Sequence, residues 1–297
     1  MGSEVGASDI PVLPGIAGII DRYDAVILDV WGVLHDGAKP FPGVLDALRR
    51  LRAVGKATLV LSNAPRRAEP VAKRIAEVGI ARDLYDHIHT SGEETWQHLY
   101  RRDDAFHAAL GRACYHIAPS RESDVLDGLD LERVDDIAAA EFIHNTGPWG
   151  WDENVDGYEE MLQAARRRDL PMVCANPDLV VHHLGRRAIC AGTIAQRYEA
   201  IGGKVRWHGK PYPGVYKQAL DKLGIADPKR ILGIGDSLRT DIAGANAAGI
   251  DAIVVAGGIH YEEFGCSGGR QPDPARIAKA AAAAGAHPIA ALDQLRW

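Results

Sequence analysis

The stretch Ala25-Val26-Ile27-Leu28-Asp29-Val30-Trp31-Gly32-Val33-Leu34 decides the fold class of this chain. Its first four residues form a short apolar run, which predicts a buried strand ending at Asp29. A segment with helix periodicity follows at residues 42–55, and a second apolar run at residues 57–61 ends at Ser62-Asn63. This alternation is typical of strand–helix–strand crossovers, so we expect an α/β fold with parallel strands.

Two further apolar runs continue this rhythm in the last third of the chain. Residues 231–235 lead directly to Asp236, and residues 252–255 form the next strand candidate. Open parallel sheets bind their ligands beyond the carboxyl ends of the strands. We therefore expect Asp29, Ser62 and Asp236 to converge at one edge of a sheet.

The region between these runs has strand and helix patterns of its own. The strand candidates are residues 115–117, 141–144 and 172–174, and the helix candidates are residues 93–110 and 158–168. A segment with its own α/β rhythm, placed between the two halves of one sheet, predicts an inserted domain. We place this domain at residues 90–205 and assign residues 1–89 and 206–297 to the first domain.

An aromatic group lies within the predicted insertion. It consists of Trp149, Trp151 and Tyr158. We expect these three rings in the hydrophobic core of the inserted domain, because large aromatic side chains bury more apolar surface than other residues. The alternative, a platform on which a ligand stacks, is the less favoured interpretation.

The bulk composition excludes several classes of function. The chain has 297 residues, 46% of them hydrophobic, which is enough for two cores, and its formal net charge is −6. No basic stripe points to nucleic acid or to a membrane surface, and no apolar run has the length of a bilayer span. The four cysteines form no Cys-x-x-Cys pair, which favours reduced thiols. We expect a cytoplasmic protein without nucleic-acid or membrane partners.

Four short motifs occur in a fixed order along the chain. They are Asp29-Val30-Trp31-Gly32-Val33-Leu34, Ser62-Asn63, Gly209-Lys210-Pro211 and Gly235-Asp236-Ser237-Leu238-Arg239-Thr240-Asp241. Their order and spacing resemble the four motifs of the haloacid dehalogenase (HAD) superfamily. Two segments of the chain are also similar to the cap domain of its NagD-like phosphatases, subfamily IIA. These are Ala175-Asn176-Pro177-Asp178 and Tyr198-Glu199-Ala200-Ile201-Gly202-Gly203.

The resemblance extends over nearly the whole chain from about Ile16 onward. It implies a Rossmann-like HAD core with a parallel sheet and a large inserted α/β cap. It further implies that Asn176 and Asp178 in the cap face the substrate, although an Asn-Pro-Asp segment also builds turns. A homodimer formed through the cap is a further expectation from the resemblance.

Phosphoryl transfer needs an in-line nucleophile, a cation and donors around the phosphoryl oxygens. Asp29 can attack as a carboxylate and form an aspartyl-phosphate, which divides one difficult displacement into two. Mg²⁺ prefers oxygen ligands and keeps several waters. Asp29, Asp236 and the main-chain carbonyl of Trp31 are therefore the expected Mg²⁺ ligands.

The remaining motif residues are expected to bind or orient the phosphoryl group. Ser62 can donate its hydroxyl hydrogen, and Asn63 can donate its backbone N–H. Lys210 adds a positive charge that attracts phosphate and lowers the proton affinity of Asp29. Asp241 would orient Lys210 or a metal-bound water.

Trp31 is the departure from the family pattern. Phosphatases of this superfamily carry a second aspartate two residues after the nucleophile, where it protonates the leaving oxygen and then activates water. A tryptophan side chain can do neither. General acid–base catalysis contributes typically ~10²–10⁴-fold, so its loss would slow turnover without abolishing it. His35 is a candidate replacement because imidazole titrates near neutral pH, and the alternative is an ordinary polar loop residue.

The favoured function is a Mg²⁺-dependent phosphomonoesterase that acts on a small phosphorylated metabolite, such as a sugar phosphate or a nucleotide. A second hypothesis is a protein that binds or senses a phosphorylated ligand, in which Trp31 has ended turnover but not binding. A third is a dehalogenase-like hydrolase, because haloacid dehalogenases also place an aromatic residue at this position. The large insertion resembles phosphatases rather than dehalogenases. The substrate itself depends on cap loops whose shape the sequence does not specify.

Overall fold

The computed structural model describes residues 10–119, 123–183 and 186–297. Within these residues the chain divides into two compact units. The sheet unit contains residues 10–61, 72–88 and 216–297, and the insert unit contains the described residues of 62–71 and 89–215. The placement of the inserted domain at residues 90–205 stays a prediction.

The elements of the described chain follow each other in the α/β rhythm expected from the sequence. The strands are β1 (Val12–Leu13), β2 (Ala25–Leu28), β3 (Ala57–Ser62), β4 (His87–Thr90), β5 (Ala113–Ile117), β6 (Glu132–Val134), β7 (Phe142–Asn145), β8 (Met172–Cys174), β9 (Val180–His183), β10 (Arg186–Ile189), β11 (Val205–Trp207), β12 (Ile231–Gly235), β13 (Asp251–Val255) and β14 (Ala290–Leu292). The helices are α1 (Val44–Ala53), α2 (Ala68–Glu77), α3 (Ser91–Arg101), α4 (Ala105–Ala108), α5 (Glu159–Arg167), α6 (Ala191–Ala200), α7 (Pro213–Leu223), α8 (Ala243–Ala247) and α9 (Pro274–Ala284).

The larger sheet has seven strands in the order β1-β14-β13-β12-β2-β3-β4. The pairs from β1 through to β3 are all parallel. Strands β2 and β12 are buried along their whole length, as central parallel strands covered on both faces must be. The predicted fold class, a Rossmann-like α/β core with a parallel sheet, is confirmed.

The insert unit has a sheet of its own. Five parallel strands lie in the order β11-β8-β7-β5-β6, and β9 and β10 form a separate antiparallel hairpin. Residues of α5 and α6, among them Leu162 and Tyr198, pack in one buried cluster with Met172 of β8. A second α/β layer with its own core agrees with the expected cap.

Two helix boundaries differ from the sequence expectation for conformational reasons. The first helix begins only at Val44 because Gly43 before it adopts a left-handed φ of 95°. The segment expected as one helix over residues 93–110 is two helices, since Arg102 ends α3 in the left-handed region. Asp104 then caps α4 by accepting hydrogen bonds from the next backbone amides.

The aromatic group of the insert unit is only partly in the core. Tyr158 is fully buried, whereas Trp149 and Trp151 are 42% and 40% exposed, so the prediction was wrong for the two tryptophans. Trp149 stacks on the Tyr158 ring with 4.3 Å between centroids and donates its backbone N–H to the Tyr158 hydroxyl. The ring of Tyr158 therefore fills the core, and Trp149 covers it from outside.

Every helix in the described part of the chain is too short or too polar to cross a membrane.

Candidate active site

Three carboxylates of the sheet unit lie together and form what we call the carboxylate cluster. Oxygens of Asp29, Asp236 and Asp241 all lie within 4.8 Å of one another. Asp29 follows β2 and Asp236 follows β12, and these strands are neighbours in the sheet. The backbone N–H of Asp29 donates to the carbonyl of Ile234 at 2.9 Å, which extends the strand pairing to the site. The convergence expected for Asp29 and Asp236 is therefore present.

The carboxylate cluster has the donor set of a hard divalent cation. Asp236 and Asp241 are buried, and carboxylates that stand close to one another in a buried place repel each other. Oxygen atoms are the ligands that Mg²⁺ and Ca²⁺ prefer. The described residues therefore fit such an ion at this place.

Backbone amides hold the two buried carboxylates in position. Asp236 Oδ2 accepts a hydrogen bond from the N–H of Ile259 at 2.8 Å. Asp241 Oδ2 accepts one from the N–H of Ser237 at 3.0 Å, and Asp241 itself lies on a π-helical turn over Leu238–Ile242. Turns of this kind are frequent at functional sites, and here the turn points Asp241 back toward the start of its own segment.

Gly32 makes the close approach to Asp236 that a larger residue could not. A Cβ atom at position 32 would lie 1.9 Å from Asp236 Oδ2, and the φ of Gly32 is 79°. Both the space and the backbone conformation therefore require glycine. The sequence signal for this contact was present in the first motif, but spacing alone does not reveal which side chain a glycine faces.

Trp31 and His35 contact each other on the loop after β2. Trp31 is 42% exposed, and its ring meets the His35 ring edge-on with 5.3 Å between centroids. His35 is buried, and its Nδ1 accepts the backbone N–H of Gly37 at 2.9 Å. Burial lowers the pKa of His35 below its ordinary value. The ring is therefore neutral at neutral pH, with its proton on Nε2.

The insert unit contains a second group of predicted site residues, which we call the Asn63 group. The side-chain amide of Asn63 donates to Asp178 Oδ1 at 2.9 Å and to the carbonyl of Lys210 at 3.1 Å. Its oxygen accepts the backbone N–H of Lys210 at 2.7 Å. Asn63 and Lys210 are both buried. One amide thus fixes both sides of the Lys210 backbone.

Gly209 and Glu94 complete the support of this segment. Gly209 has a φ of 92°, and a Cβ there would lie 2.7 Å from the Asn63 side-chain oxygen. Its N–H donates to Glu94 Oε2 at 2.7 Å. The sequence interpretation missed both Glu94 and the side chain of Asn63. Glu94 was missed because acidic residues are common in the first turn of a helix, where the helix dipole favours negative charge.

Ser62 and Asn176 are placed by local hydrogen bonds. Ser62 is the last residue of β3, and its hydroxyl oxygen accepts the N–H of Ala64 at 3.2 Å. A serine hydroxyl that accepts in this way can still donate its hydrogen elsewhere. Asn176 accepts the N–H of Asp178 at 2.9 Å, so the turn considered for the Asn-Pro-Asp segment is formed.

Comparisons with known proteins point in one direction. A family model described as haloacid dehalogenase-like hydrolase matches residues 23–249. Chronophin of Rattus norvegicus is 28% identical over 81% of this chain and 79% of its own length. The ribonucleotide monophosphatase NagD of Escherichia coli K12 is 26% identical over 79% of this chain and 88% of its own. A crystal structure of a haloacid dehalogenase-like hydrolase from Brucella suis superposes with a TM-score of 0.82 at 34% identity, covering 96% of this chain and 100% of that one.

Proposed function

Because the chain belongs to the haloacid dehalogenase-like hydrolases, and among them to the NagD-like phosphatases, we propose that it is a Mg²⁺-dependent phosphomonoesterase acting on a small phosphorylated metabolite. Sugar phosphates and nucleotides are the substrate classes we propose, and the name of its relative NagD supports a nucleotide. The observation that carries this proposal is the carboxylate cluster at the ends of β2 and β12.

Asp29 is the proposed nucleophile. Its carboxylate oxygen forms a bond to phosphorus while the bond from phosphorus to the leaving oxygen breaks, which leaves an aspartyl-phosphate and the alcohol product. Water then attacks this acyl phosphate, restores the carboxylate and releases phosphate. The hydrogen bond from the Asp29 N–H to Ile234 supports this role, because it ties the nucleophile to the rigid centre of the sheet.

Asp29, Asp236 and the Trp31 carbonyl are the proposed ligands of the metal ion. When bound, Mg²⁺ supplies positive charge against the phosphoryl oxygens. The grouping of three carboxylates, two of them buried, supports this assignment, since Mg²⁺ prefers oxygen ligands. Asp241, which Ser237 holds, is proposed as the residue that orients the groups around the ion.

Lys210, Ser62 and Asn63 are proposed to bind the phosphoryl group. The charge of Lys210 would stabilise developing negative charge. The Asn63 side chain supports this by fixing the Lys210 backbone beforehand, since it donates to the Lys210 carbonyl and accepts from the Lys210 N–H. Asn176 and Asp178 are proposed to contact the rest of the substrate. For Asp178 a second role is visible, because its carboxylate also accepts from Asn63.

Trp31 supports a second candidate function. A side chain without a titratable proton follows the nucleophile by two residues, and the neighbouring His35 is neutral. Such a site can bind a phosphorylated ligand more readily than it can hydrolyse that ligand. Tight, saturable binding of a phosphate ester with no release of phosphate would favour this candidate over the enzyme.

We also propose a cytoplasmic location and a homodimer for this protein. All four cysteines are free thiols, which is compatible with a reducing cytoplasm. Pairing of two copies through the insert unit rests on the family resemblance, and light scattering of the purified chain tests it.

The deciding experiment is phosphate release from a panel of sugar phosphates and nucleotides, with and without Mg²⁺. We expect release only with Mg²⁺ and none from Asp29→Asn, because an amide is neither a nucleophile nor an anionic ligand. Asp46→Asn is the matched control, since Asp46 is exposed and pairs with Arg50 on the surface of α1. Activity of Asp29→Asn within about tenfold of wild type would remove Asp29 from the mechanism.

A further inference from the structure

Five titratable side chains of the insert unit lie close together, and we call them the histidine cluster. They are Glu94, His98, Asp104, His107 and His208. Glu94 and His98 lie four residues apart on α3, so they share one face of that helix. His208 directly follows β11, and its ring centroid lies 5.1 Å from that of His98 and 5.2 Å from that of His107.

Hydrogen bonds hold both ring nitrogens of His107. His107 Nδ1 lies 2.7 Å from Asp104 Oδ2. The other oxygen of Asp104 accepts the backbone N–H groups of Phe106 and His107, so this side chain acts as an acceptor. His107 therefore donates from Nδ1 and presents its Nε2 to the neighbouring His208.

The contact with His107 uses one ring nitrogen of His208. The Nε2 atoms of His107 and His208 are 3.1 Å apart, and such a contact needs one donor and one acceptor. The other ring nitrogen of His208 is Nδ1. That atom is buried, makes no hydrogen bond within the described residues, and faces Glu94 Oε1 at 3.4 Å. A buried ring nitrogen without a hydrogen bond that faces a buried carboxylate offers a place for a cation between them.

The distance between these two atoms suits two ligands of one metal ion. A hydrogen bond between nitrogen and oxygen is about 2.9–3.0 Å long. Ligands at ~2.0–2.1 Å around a tetrahedral Zn²⁺ are separated by about 3.3–3.4 Å. The 3.4 Å between His208 Nδ1 and Glu94 Oε1 matches the second value.

The other atoms around the pair complete a ligand set. A ring nitrogen of His98 lies within 4.8 Å of the ligand atoms of both Glu94 and His208. Glu94 Oε2 accepts the N–H of Gly209, which fixes the orientation of the carboxylate. His107, which Asp104 holds, contacts the other ring nitrogen of His208, as the outer partners of metal-binding histidines commonly do.

We propose that Glu94, His98 and His208 bind one transition-metal dication, with Zn²⁺ as the preferred ion. Two imidazoles and one carboxylate suit such an ion, whereas the all-oxygen carboxylate cluster suits Mg²⁺. The ion would join α3 to the residue that precedes Gly209 and Lys210. It would thus stabilise the insert unit and hold the backbone that leads to Lys210.

Co²⁺ is the probe, because four-coordinate Co²⁺ absorbs strongly in the visible range and replaces Zn²⁺. The tag-free full chain is stripped with EDTA and titrated with Co²⁺ in excess Mg²⁺. We expect one Co²⁺ per chain and displacement of the band by Zn²⁺. His107→Ala should weaken Co²⁺ binding ~10–100-fold, and Glu94→Gln and His98→Ala should weaken it by more.

Two control variants should bind Co²⁺ as wild type does. His287 is exposed and away from every group of potential metal ligands in the described chain, so His287→Ala is the matched histidine control. Asp236→Asn removes a ligand of the carboxylate cluster. It therefore distinguishes Co²⁺ binding at the histidine cluster from binding at the carboxylate cluster. If the band is absent in wild type, disappears in Asp236→Asn or is unchanged in Glu94→Gln, the proposal is overturned.

Wild-type protein also provides a test that does not depend on the folding of any variant. X-ray absorption of the chain with one equivalent of Zn²⁺ should show a shell of nitrogen and oxygen with the outer scattering of imidazole. A shell without imidazole would overturn the site even if every variant folds poorly. Neither measurement uses phosphate release, so failure of this proposal and failure of the proposed phosphatase are distinguishable.

Discussion

Trp31 is the residue with the clearest consequence for catalysis. Its ring is 42% exposed and rests against His35, and a Cβ at Gly37 would lie 2.6 Å from it. The side chain thus covers the start of the loop after Asp29 without offering a proton. An enzyme built in this way should depend on the leaving group of its substrate.

We expect wild type to hydrolyse aryl phosphates faster than alkyl phosphates, with a burst of alcohol equal to the enzyme concentration before slow turnover. The aspartyl-phosphate accumulates because no base activates water. Trp31→Asp should raise the alkyl-phosphate rate, by up to the ~10²–10⁴-fold of general acid–base catalysis. Stopped-flow kinetics on one aryl and one alkyl phosphate measure both effects.

Trp31→Phe is the control, since it keeps an aromatic ring and adds no acid. It should leave the ratio of aryl to alkyl rates as in wild type. Similar kcat values for both substrates in wild type, with no burst, would mean that another group such as His35 supplies the proton.

Gly32 gives a second prediction at the residue scale. Gly32→Ala should lower Mg²⁺ affinity and phosphate release, because its Cβ would displace Asp236 Oδ2, and the left-handed backbone alone costs about 1–2 kcal/mol. Gly18→Ala is the matched control, since nothing lies within 4 Å of a Cβ there. Calorimetric titration measures the Mg²⁺ affinity of both variants. Equal affinities would contradict the role of Gly32.

The motif residues were predictable one by one, but their hydrogen bonds were not. Asp29 and Asp236 were predictable because each comes directly after an apolar run that predicts a strand. The side chain of Asn63 was missed because the sequence predicted only its backbone N–H as a donor. Which rotamer an amide adopts depends on residues far away in the chain, here Asp178 and Lys210.

At the scale of elements, β5 and β7 bring two histidines into register. His116 and His144 are paired across the strands, and their rings stack 5.0 Å apart at 13°. Burial lowers the pKa of His116 to about 4 and that of His144 well below its ordinary value. Both rings are neutral in the folded protein, and His116 Nε2 lies 3.0 Å from the hydroxyl of Thr146.

These histidines predict acid sensitivity of the insert unit. The folded pKa is lower than the unfolded value of about 6.5, so the unfolded chain binds more protons between the two values. The stabilisation is complete above pH 6.5 and is lost as the pH falls toward 4, by about 3 kcal/mol for His116. Urea unfolding at a series of pH values measures this loss.

His116→Gln should flatten that dependence by about 1.4 kcal/mol per pH unit, because it removes one titrating group and can keep a hydrogen bond to Thr146. His287→Gln, at an exposed position, should leave the slope unchanged. Parallel curves for wild type and His116→Gln between pH 6.5 and 4.5 would show that His116 is not responsible.

The elements themselves were predicted well where periodicity is strong and poorly where one residue decides. β8 begins and ends at the predicted residues, since its apolar run is short and sharply bounded. The break between α3 and α4 was missed because an arginine in the left-handed region leaves no mark in the sequence. The exposure of Trp149 was missed because composition does not reveal that Tyr158 already fills the core.

At the scale of the whole molecule, the carboxylate cluster and the histidine cluster differ in chemical character. The carboxylate cluster contains only oxygen donors, and the histidine cluster mixes nitrogen and oxygen. The two groups should therefore respond to different cations. Removal of metal is the experiment that reveals both.

EDTA treatment should abolish phosphate release, and Mg²⁺ alone should restore it. A cation that binds only the folded state raises the free energy of unfolding by about 2.7 kcal/mol at a hundredfold excess over its dissociation constant. Mg²⁺ should accordingly raise the melting temperature of wild type but not of Asp236→Asn. An equal rise in both would place the ion elsewhere.

The order of strands in the larger sheet has a consequence for how the chain is made. Strand β2, which carries Asp29, lies between β3 and β12, and β12 begins only at Ile231. During synthesis the ribosome therefore releases β2 and β3 long before their partner exists. Pairing over such a sequence distance is slow, and unpaired strand edges attract other chains in the meantime. Strand β2 should thus need protection by chaperones until the last third of the polypeptide has emerged.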